Sequence, residues 1–442
     1  MPHHLEGVRN FCALHGALQL FEAMDGVVPV VHSTAGCGVQ YHLGVTRQSG
    51  GSGPFGSPPV SSSNISEKHV VFGGGSRLRE QLKNTVKVVK GDLYAIVTGC
   101  AAEMVGDDIP AMAKEGKEQG WPVVYANTPG FGGDVHHGYQ VAVRALLEQL
   151  PELAASETAP VENLVNIWGV IPNSDPFWRG NLQELHRVLS GAGLTANLLL
   201  GDGQGVQAWR QIPGARLNLS VSPWGEEAVR LLEERYGTPY LSVPALPVGF
   251  ATGKFLRAVL AALGRDNDEA AESFIAREEA VLNRHFARMA DSYFRHGFQR
   301  EFALVGESAQ VIGLAGFLSG QLGLVPGTLA VTDPLPEPSR REVEQHVGAI
   351  TKGAATVVFS EDQAEITDAL GTGSPGIVVG SSLERAAAAS LGIPLVEASF
   401  PIGSRLILDR CYSGYRGAVT VLEDVGSAMV AGSPRETDVT AQ

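Results

Sequence analysis

Cysteine is scarce in this chain, with four in 442 residues. That is too few for a disulfide framework, and it leaves ligand or buried-thiol roles in a reducing compartment. Positive charge is also in deficit. Lys and Arg number 33 against 47 Asp and Glu, a net charge of −14, which argues against nucleic acid or an anionic membrane surface as a partner. No apolar run reaches about 18 residues, and no basic segment followed by an apolar stretch opens the chain. A cytoplasmic protein that is neither secreted nor membrane-spanning is therefore expected. No serine–histidine–acid arrangement or nucleophile elbow stands out, and no short internal repeat occurs.

What is present is enough apolar sequence, 44% of residues, to fill several cores. The first segment alternates strand-like and helix-like runs. HGALQLFEAMDG has helical spacing, VVPVVH reads as a short strand, and HVVFGGGSRLREQL reads as strand, glycine turn and helix. LYAIV and PVVYANTPGF supply further strands. Such alternation predicts a parallel sheet with helices on its faces. Gly50–Ser63 reads as a long surface loop, and Pro151–Pro160 as a linker. Two further α/β segments follow, separated by a polar helical stretch around Asp266–His296. The expected organisation is three Rossmann-like parallel-sheet domains, over residues 1–155, 156–298 and 299–431, with a polar tail over 432–442.

Three of the cysteines fall at telling places. Cys12 precedes the first helical stretch, Cys37 follows VVPVVH, and Cys100 follows LYAIV. In parallel α/β sheets ligands gather at the carboxyl ends of the strands. Three thiolates from separate loops suit an iron–sulfur cluster, yet fall one short of a closed four-cysteine site, which suggests a cluster shared across a subunit boundary. Three buried free thiols account for the spacing equally well. The small neighbours favour a cluster, because backbone amides can then approach its sulfurs.

The other candidates have plainer readings. Cys411 stands alone and reads as a packed or surface thiol. His136 and His137 open a helix and point in different directions, so capping or subunit packing is expected of them. His15 and His32 read as polar neighbours of Cys12 and Cys37. Gly73–Gly75 lacks the Lys-Ser/Thr of a phosphate loop and reads as a strand-to-helix turn, and Gly201–Gly205 reads as a loop. Glu103, Asp107 and Asp108 could form a carboxylate site, but Asp107 and Asp108 suit helix capping better.

The segments GCGVQYHLGVTRQSG, SSNISEKHVVFGGGSRLREQL and VTGCAAEMVGDDI resemble the nitrogenase component 1 family. NTPGFGGDVHHGY, LPVGFATGKFL, ALVGESAQVIGLAGFL and FPIGSRLILDRCYSGYRGA resemble further family segments in matching order, from about Gly7 to Met429. The resemblance implies that Cys12, Cys37 and Cys100 are ligands to half of a P-cluster-type [8Fe-7S] cluster shared with a catalytic-type, alpha-like subunit. It also implies a heterotetramer, an active-site iron–sulfur cofactor in the partner chain, and an ATP-hydrolysing iron–sulfur reductase (the iron protein) as electron donor. RLNLSVSPWGEEA has no cysteine and Phe400–Val430 has no histidine, so the chain resembles the partner-type, beta-like subunit. SEKHVVFGGGSRLREQL is closer to catalytic-type wording.

In partner-type chains the segment TPSF supplies a serine that ligates the oxidised P-cluster. This chain reads TPGF, with Gly130 in that place, and glycine offers no alkoxide. The short stretch before Cys12, Gly130 and the mixed wording together point to a nitrogenase-like reductase outside the dinitrogen-fixing group. The expected family is then the methylthio-alkane reductases, which cleave small thioethers to methanethiol and a hydrocarbon. A true nitrogenase beta subunit, of an alternative-metal type, and a cofactor-assembly scaffold are the other readings.

Overall fold

The computed structural model describes residues 9–48, 60–150 and 161–432. The linker Pro151–Pro160, most of the loop Gly50–Ser63 and nearly all of the polar tail lie outside the described residues. No helix among the described residues is long and apolar enough to cross a membrane.

Three parallel sheets carry the fold. A two-residue strand β1 (Met24–Asp25) precedes the first of them, which comprises β2 (Val27–His32), β3 (Ser61–Ser62), β4 (Leu93–Thr98) and β5 (Val123–Ala126) in the order β3-β2-β4-β5. Every residue of β2 and β4 is buried, as expected for strands covered on both faces. Next in sequence come β6 (Leu164–Trp168), β7 (Thr195–Asn197), β8 (Gly201–Gly205), β9 (Leu217–Ser220) and β10 (Tyr240–Ser242). All but β8 form the second sheet, in the order β10-β9-β6-β7. The third sheet holds β11 (Glu301–Gly306), β12 (Val325–Val331), β13 (Thr356–Phe359), β14 (Ile377–Gly380) and β15 (Leu395–Glu397), in the order β13-β12-β11-β14-β15. Each order reverses once, and the crevice at that reversal is where such folds bind ligands.

The sequence misplaces three elements. Ser61–Ser62, placed in a loop, form β3 and pair with β2. Residues 201–205 form β8, not a loop, and pair in parallel with β1 as a separate two-stranded sheet. HVVF is not a strand. Ser66 and His69 form a capping box and Glu67 stands in the first turn, so the segment becomes a helix despite its β-branched residues.

Among the described residues, seven helices shape the first unit: α1 (Ala13–Glu22), α2 (Ala35–Gln48), α3 (Glu67–Phe72), α4 (Gly75–Val88), α5 (Cys100–Val105), α6 (Ile109–Glu118) and α7 (Val135–Gln149). α1 and α7 touch backbone to backbone. A Cβ at Gly16 would collide with the Val135 carbonyl, and one at Gly138 with the Ala13 carbonyl, so both positions require glycine.

Charged side chains join the three units at their shared junction. His136 on α7 is fully buried, with Nδ1 2.7 Å from Asp134 Oδ2 and Nε2 2.9 Å from Glu307 Oε1, just beyond β11. Its ring lies against Trp224, whose indole N–H donates to Asp333 at 3.0 Å. Burial alone would lower the His136 pKa, but Glu307 and Asp134 outweigh it and push it to about 10. The last helix, Gly414–Ala431, returns to the second unit. Asn181 Oδ1 accepts from the amides of Tyr412 and Ser413 at 2.8 and 2.9 Å, immediately before that helix.

Candidate cluster site

Cys37 and Cys100 follow the two strands that flank the reversal in the first sheet. The chain leaves β2 through Ser33 and Thr34 and enters α2, which carries Cys37 in its first turn. Ser33 Oγ and Thr34 Oγ1 lie 3.2 and 3.7 Å from Cys37 Sγ. It leaves β4 through Gly99, and Cys100 opens α5. The Gly99 amide donates to the His32 carbonyl at 3.1 Å, so the two strand exits are tied together.

Cys12 arrives from a different direction. It is the N-cap of α1 and forms an antiparallel bridge with Asp134, and the Ala13 amide donates to Gly133 at 2.9 Å. The close α1–α7 crossing therefore sets Cys12 beside the turn Gly130–Gly132. Thr128 anchors that turn to the end of β4. Its amide donates to Thr98 Oγ1 at 2.9 Å and its hydroxyl to the Thr98 carbonyl at 3.0 Å.

Gly130 lies between two of the thiols. Its N–H donates to Cys100 Sγ at 3.1 Å, and a Cβ built there would lie 3.1 Å from Cys100 Sγ and 3.4 Å from Cys12 Sγ. Burial raises the Cys12 thiol pKa; the backbone amides of His15 and Leu14 oppose this, while Cys37 and Cys100 add to it. Cys100 is exposed, and Cys12 and Cys37 are half-buried. Among the described residues, no group of three or more His, Cys, Asp or Glu side chains converges closely enough to hold a single metal ion. Separated thiols that face outward suit a cluster with several irons, each thiolate binding its own.

The neighbouring polar residues are structural. His32 at the end of β2 is fully buried, with Nε2 2.9 Å from Asp107 Oδ2 and Nδ1 2.8 Å from Ser63 Oγ. Burial lowers its pKa although Asp107 opposes the shift, so the pair is a neutral imidazole donating to a carboxylate. Asp107 Oδ1 also accepts the Gly74 and Gly75 amides at 2.7 and 3.1 Å. The glycine run that resembled a phosphate cradle is a helix-to-helix turn closed by this chain's own carboxylate. Asp108 alone caps α6, with Oδ1 3.0 Å from the Ala111 amide. Asp107 does not cap α6; it reaches across to His32 on β2 and to the first amides of α4. Asp134 caps α7 by accepting from the amides of His136 and His137. Cys411 lies apart near Glu184, and burial followed by that carboxylate pushes its pKa up to about 11.

Two other features frame the site. Val39, Val70, Val71, Phe72, Met104 and Phe131 are large apolar side chains left exposed on α2, α3, α5 and the Gly130 turn, and Phe72 is 81% exposed. A separate cavity of about 50 Å³ lies where the second and third sheets reverse, bounded by Gly169, Asp175, Ser222 and Glu307. No cysteine or histidine lines it. A handful of waters would fill that volume.

The nitrogenase component 1 type oxidoreductase family model matches residues 12–429. The chain is 26% identical to the nitrogenase molybdenum-iron protein beta chain of Methanothermobacter marburgensis, over 95% of this chain and 93% of that one. It is 26% identical to the corresponding beta chain of Bradyrhizobium diazoefficiens, over 93% of this chain and 81% of that one. A solved structure described as nitrogenase Cp1 at pH 6.5 superposes with a TM-score of 0.81 at 19% identity, covering 99% of this chain and 97% of that one, and so shares the fold. With the match running from Cys12 into the helix Gly414–Ala431, the chain belongs to the nitrogenase component 1 type oxidoreductase family.

Proposed function

We propose that this chain is the partner-type, beta-like subunit of a nitrogenase-like reductase. In this reading Cys12, Cys37 and Cys100 bind half of a P-cluster-type [8Fe-7S] cluster, and a catalytic-type subunit supplies the remaining ligands. The observation that carries it is the pairing of half-buried Cys12 and exposed Cys100 across Gly130, with Cys37 on the adjoining strand exit and exposed apolar residues on the adjoining elements. Apolar side chains left exposed together mark a surface that a partner covers.

The cluster would supply one-electron storage between a donor and an active site. This chain's residues hold and tune it. The thiolates bind irons, the Gly130 amide donates to Cys100, and the Ser33 and Thr34 hydroxyls lie within reach of Cys37. Hydrogen bonds to ligand sulfurs favour the electron-rich state and raise the potential. The lack of a cysteine in RLNLSVSPWGEEA and of a histidine in Phe400–Val430 supports an active-site cofactor held in the partner chain. Electrons would arrive from an ATP-hydrolysing iron–sulfur reductase, and the assembly would be a heterotetramer.

For the substrate, Gly130 favours a reductase other than a dinitrogen-fixing enzyme. We assign reductive cleavage of small methylthio-alkanes, in which two electrons and two protons convert dimethyl sulfide to methanethiol and methane. The names of the beta-chain relatives favour the second reading, dinitrogen reduction. The test is an anaerobic assay of the complex with its reductase, ATP and dimethyl sulfide. Methanethiol release supports thioether cleavage. Acetylene or dinitrogen reduction without methanethiol overturns it, and transfer of a precursor cluster without turnover indicates an assembly scaffold.

A further inference from the structure

Behind Cys12, α1 carries a file of polar side chains in an otherwise apolar setting. His15, Gln19 and Glu22 follow one another at helical spacing. His15 and Gln19 are buried, and Glu22 is only partly exposed. His15 Nε2, Gln19 Oε1 and Glu22 Oε1 are all enclosed and lack a hydrogen-bond partner. Three such atoms on successive turns are costly when dry, and enclosed water is the usual remedy.

The facing wall is α2. Tyr41 is fully buried, its ring stacks on His15 at 5.5 Å, and its hydroxyl donates to Glu22 Oε2 at 2.6 Å. Tyr41 stands one turn beyond Cys37, and His15 Nδ1 lies 3.5 Å from Cys12 Sγ. Two of the three thiols are therefore each one turn from a member of the same file. The file ends at Glu22, three residues before the exposed Asp25 in sequence.

We propose that Glu22, linked to the cluster site through Tyr41, Gln19 and His15, is the proton acceptor coupled to electron storage there. One electron enters the site from the external reductase, and one proton from solvent binds the Glu22 carboxylate. Both leave when the electron moves on, and no other bond forms or breaks. The idea rests on the shared-cluster reading.

Burial pushes the Glu22 pKa up to about 7, against the opposing Tyr41 hydrogen bond. Among the described residues Tyr41 is the titratable group that faces it. Titratable groups on the other elements against α1 are engaged elsewhere. Asp25 on β1 accepts from the Gly203 amide, His32 on β2 is held by Asp107, and Tyr94 on β4 donates to the Val89 carbonyl. On α7, His136 is held by Asp134 and Glu307, Arg144 by Glu227, and Tyr139 accepts from the Gly169 amide, while His137 and Glu148 are exposed. Glu22 is thus set to change charge near neutrality without a compensating ion.

The test is a redox titration of the anaerobically purified complex with its natural partner, followed by electron paramagnetic resonance from about pH 6 to pH 9. The midpoint potential should fall with rising pH, by up to about 59 mV for each tenfold drop in proton concentration. Glu22→Gln should flatten that slope while keeping iron content. Tyr41→Phe should move the bend to higher pH. An infrared carboxyl band that appears on reduction should be lost in Glu22→Gln. An unchanged slope in Glu22→Gln overturns the proposal alone, whereas wild-type complex without iron overturns the shared-cluster reading with it.

Discussion

The Gly130 amide donates to Cys100 Sγ across 3.1 Å, joining residues that are separated by a whole strand and two helices. Neither a hydroxyl nor a methyl group stands at that position. A Cβ there would press on Cys100 Sγ and on Cys12 Cβ, each at 3.1 Å. Gly130→Ala should therefore separate the two thiols slightly, at about 1–3 kcal/mol of local stability. The expected result is less iron in the purified complex and a lower denaturation midpoint. Unchanged values for both would show that the turn can yield freely.

Asp107 holds three partners at once: the His32 imidazole and the amides of Gly74 and Gly75. Asp107→Ala strands these donors, at about 1–3 kcal/mol for each one left unsatisfied. Urea denaturation followed by tryptophan fluorescence should show a clearly lower midpoint. Asp108→Ala, which removes only the α6 cap, should cost about 1 kcal/mol.

His136 makes stability depend on alkaline pH. Its folded pKa, about 10, lies above the ordinary 6.5, so the folded state holds the proton more tightly. The stabilisation is complete below about pH 6.5 and is lost as pH rises toward 10. Between pH 7 and 9.5 the wild-type melting temperature should fall more steeply than that of His136→Gln. At pH 7 the substitution should cost about 3–5 kcal/mol, since Glu307 and Asp134 lose their shared partner. Parallel melting curves across that range would contradict this account of the junction.

Much of this site is legible in the chain. VVPVVH and LYAIV read as buried strands and became β2 and β4, so the placing of Cys37 and Cys100 at one sheet edge follows from local pattern. Cys12 is harder, because its position depends on the α1–α7 crossing, and only the backbone contact explains Gly16 and Gly138. HVVF misleads because its apolar residues face outward in a short capped helix, where hydrophobicity does not report a buried strand. GDGQG carries no strand signal, since its own backbone makes the pairing with Met24 and Asp25, and the Asp25 carboxylate accepts the Gly203 amide. Asp107 reads as a cap, yet serves residues 75 and 33 positions away. The His136–Glu307 pair spans 171 residues, and no local pattern announces it.

The exposed apolar side chains near the cysteines make assembly testable without any redox measurement. Phe72 and Met104 are 81% and 79% exposed. Phe72→Glu would place a charge in a covered contact and should abolish co-purification with the catalytic-type chain, while the circular dichroism of the isolated chain stays unchanged. Phe294→Glu, on the helix Glu269–Arg295, is the control and should leave co-purification intact. Equal recovery of the Phe72 and Phe294 variants with the partner would move the contact elsewhere.

The most direct test of the central claim is the iron and acid-labile sulfide content of the complex, purified anaerobically with its natural partner. The account predicts abundant iron and sulfide in the wild type and a marked fall in both when Cys37 or Cys100 is replaced by Ala. Cys411→Ala should leave both unchanged. Little iron in the wild type, or iron indifferent to Cys37→Ala and Cys100→Ala, would make the trio ordinary thiols and contradict the electron-relay reading.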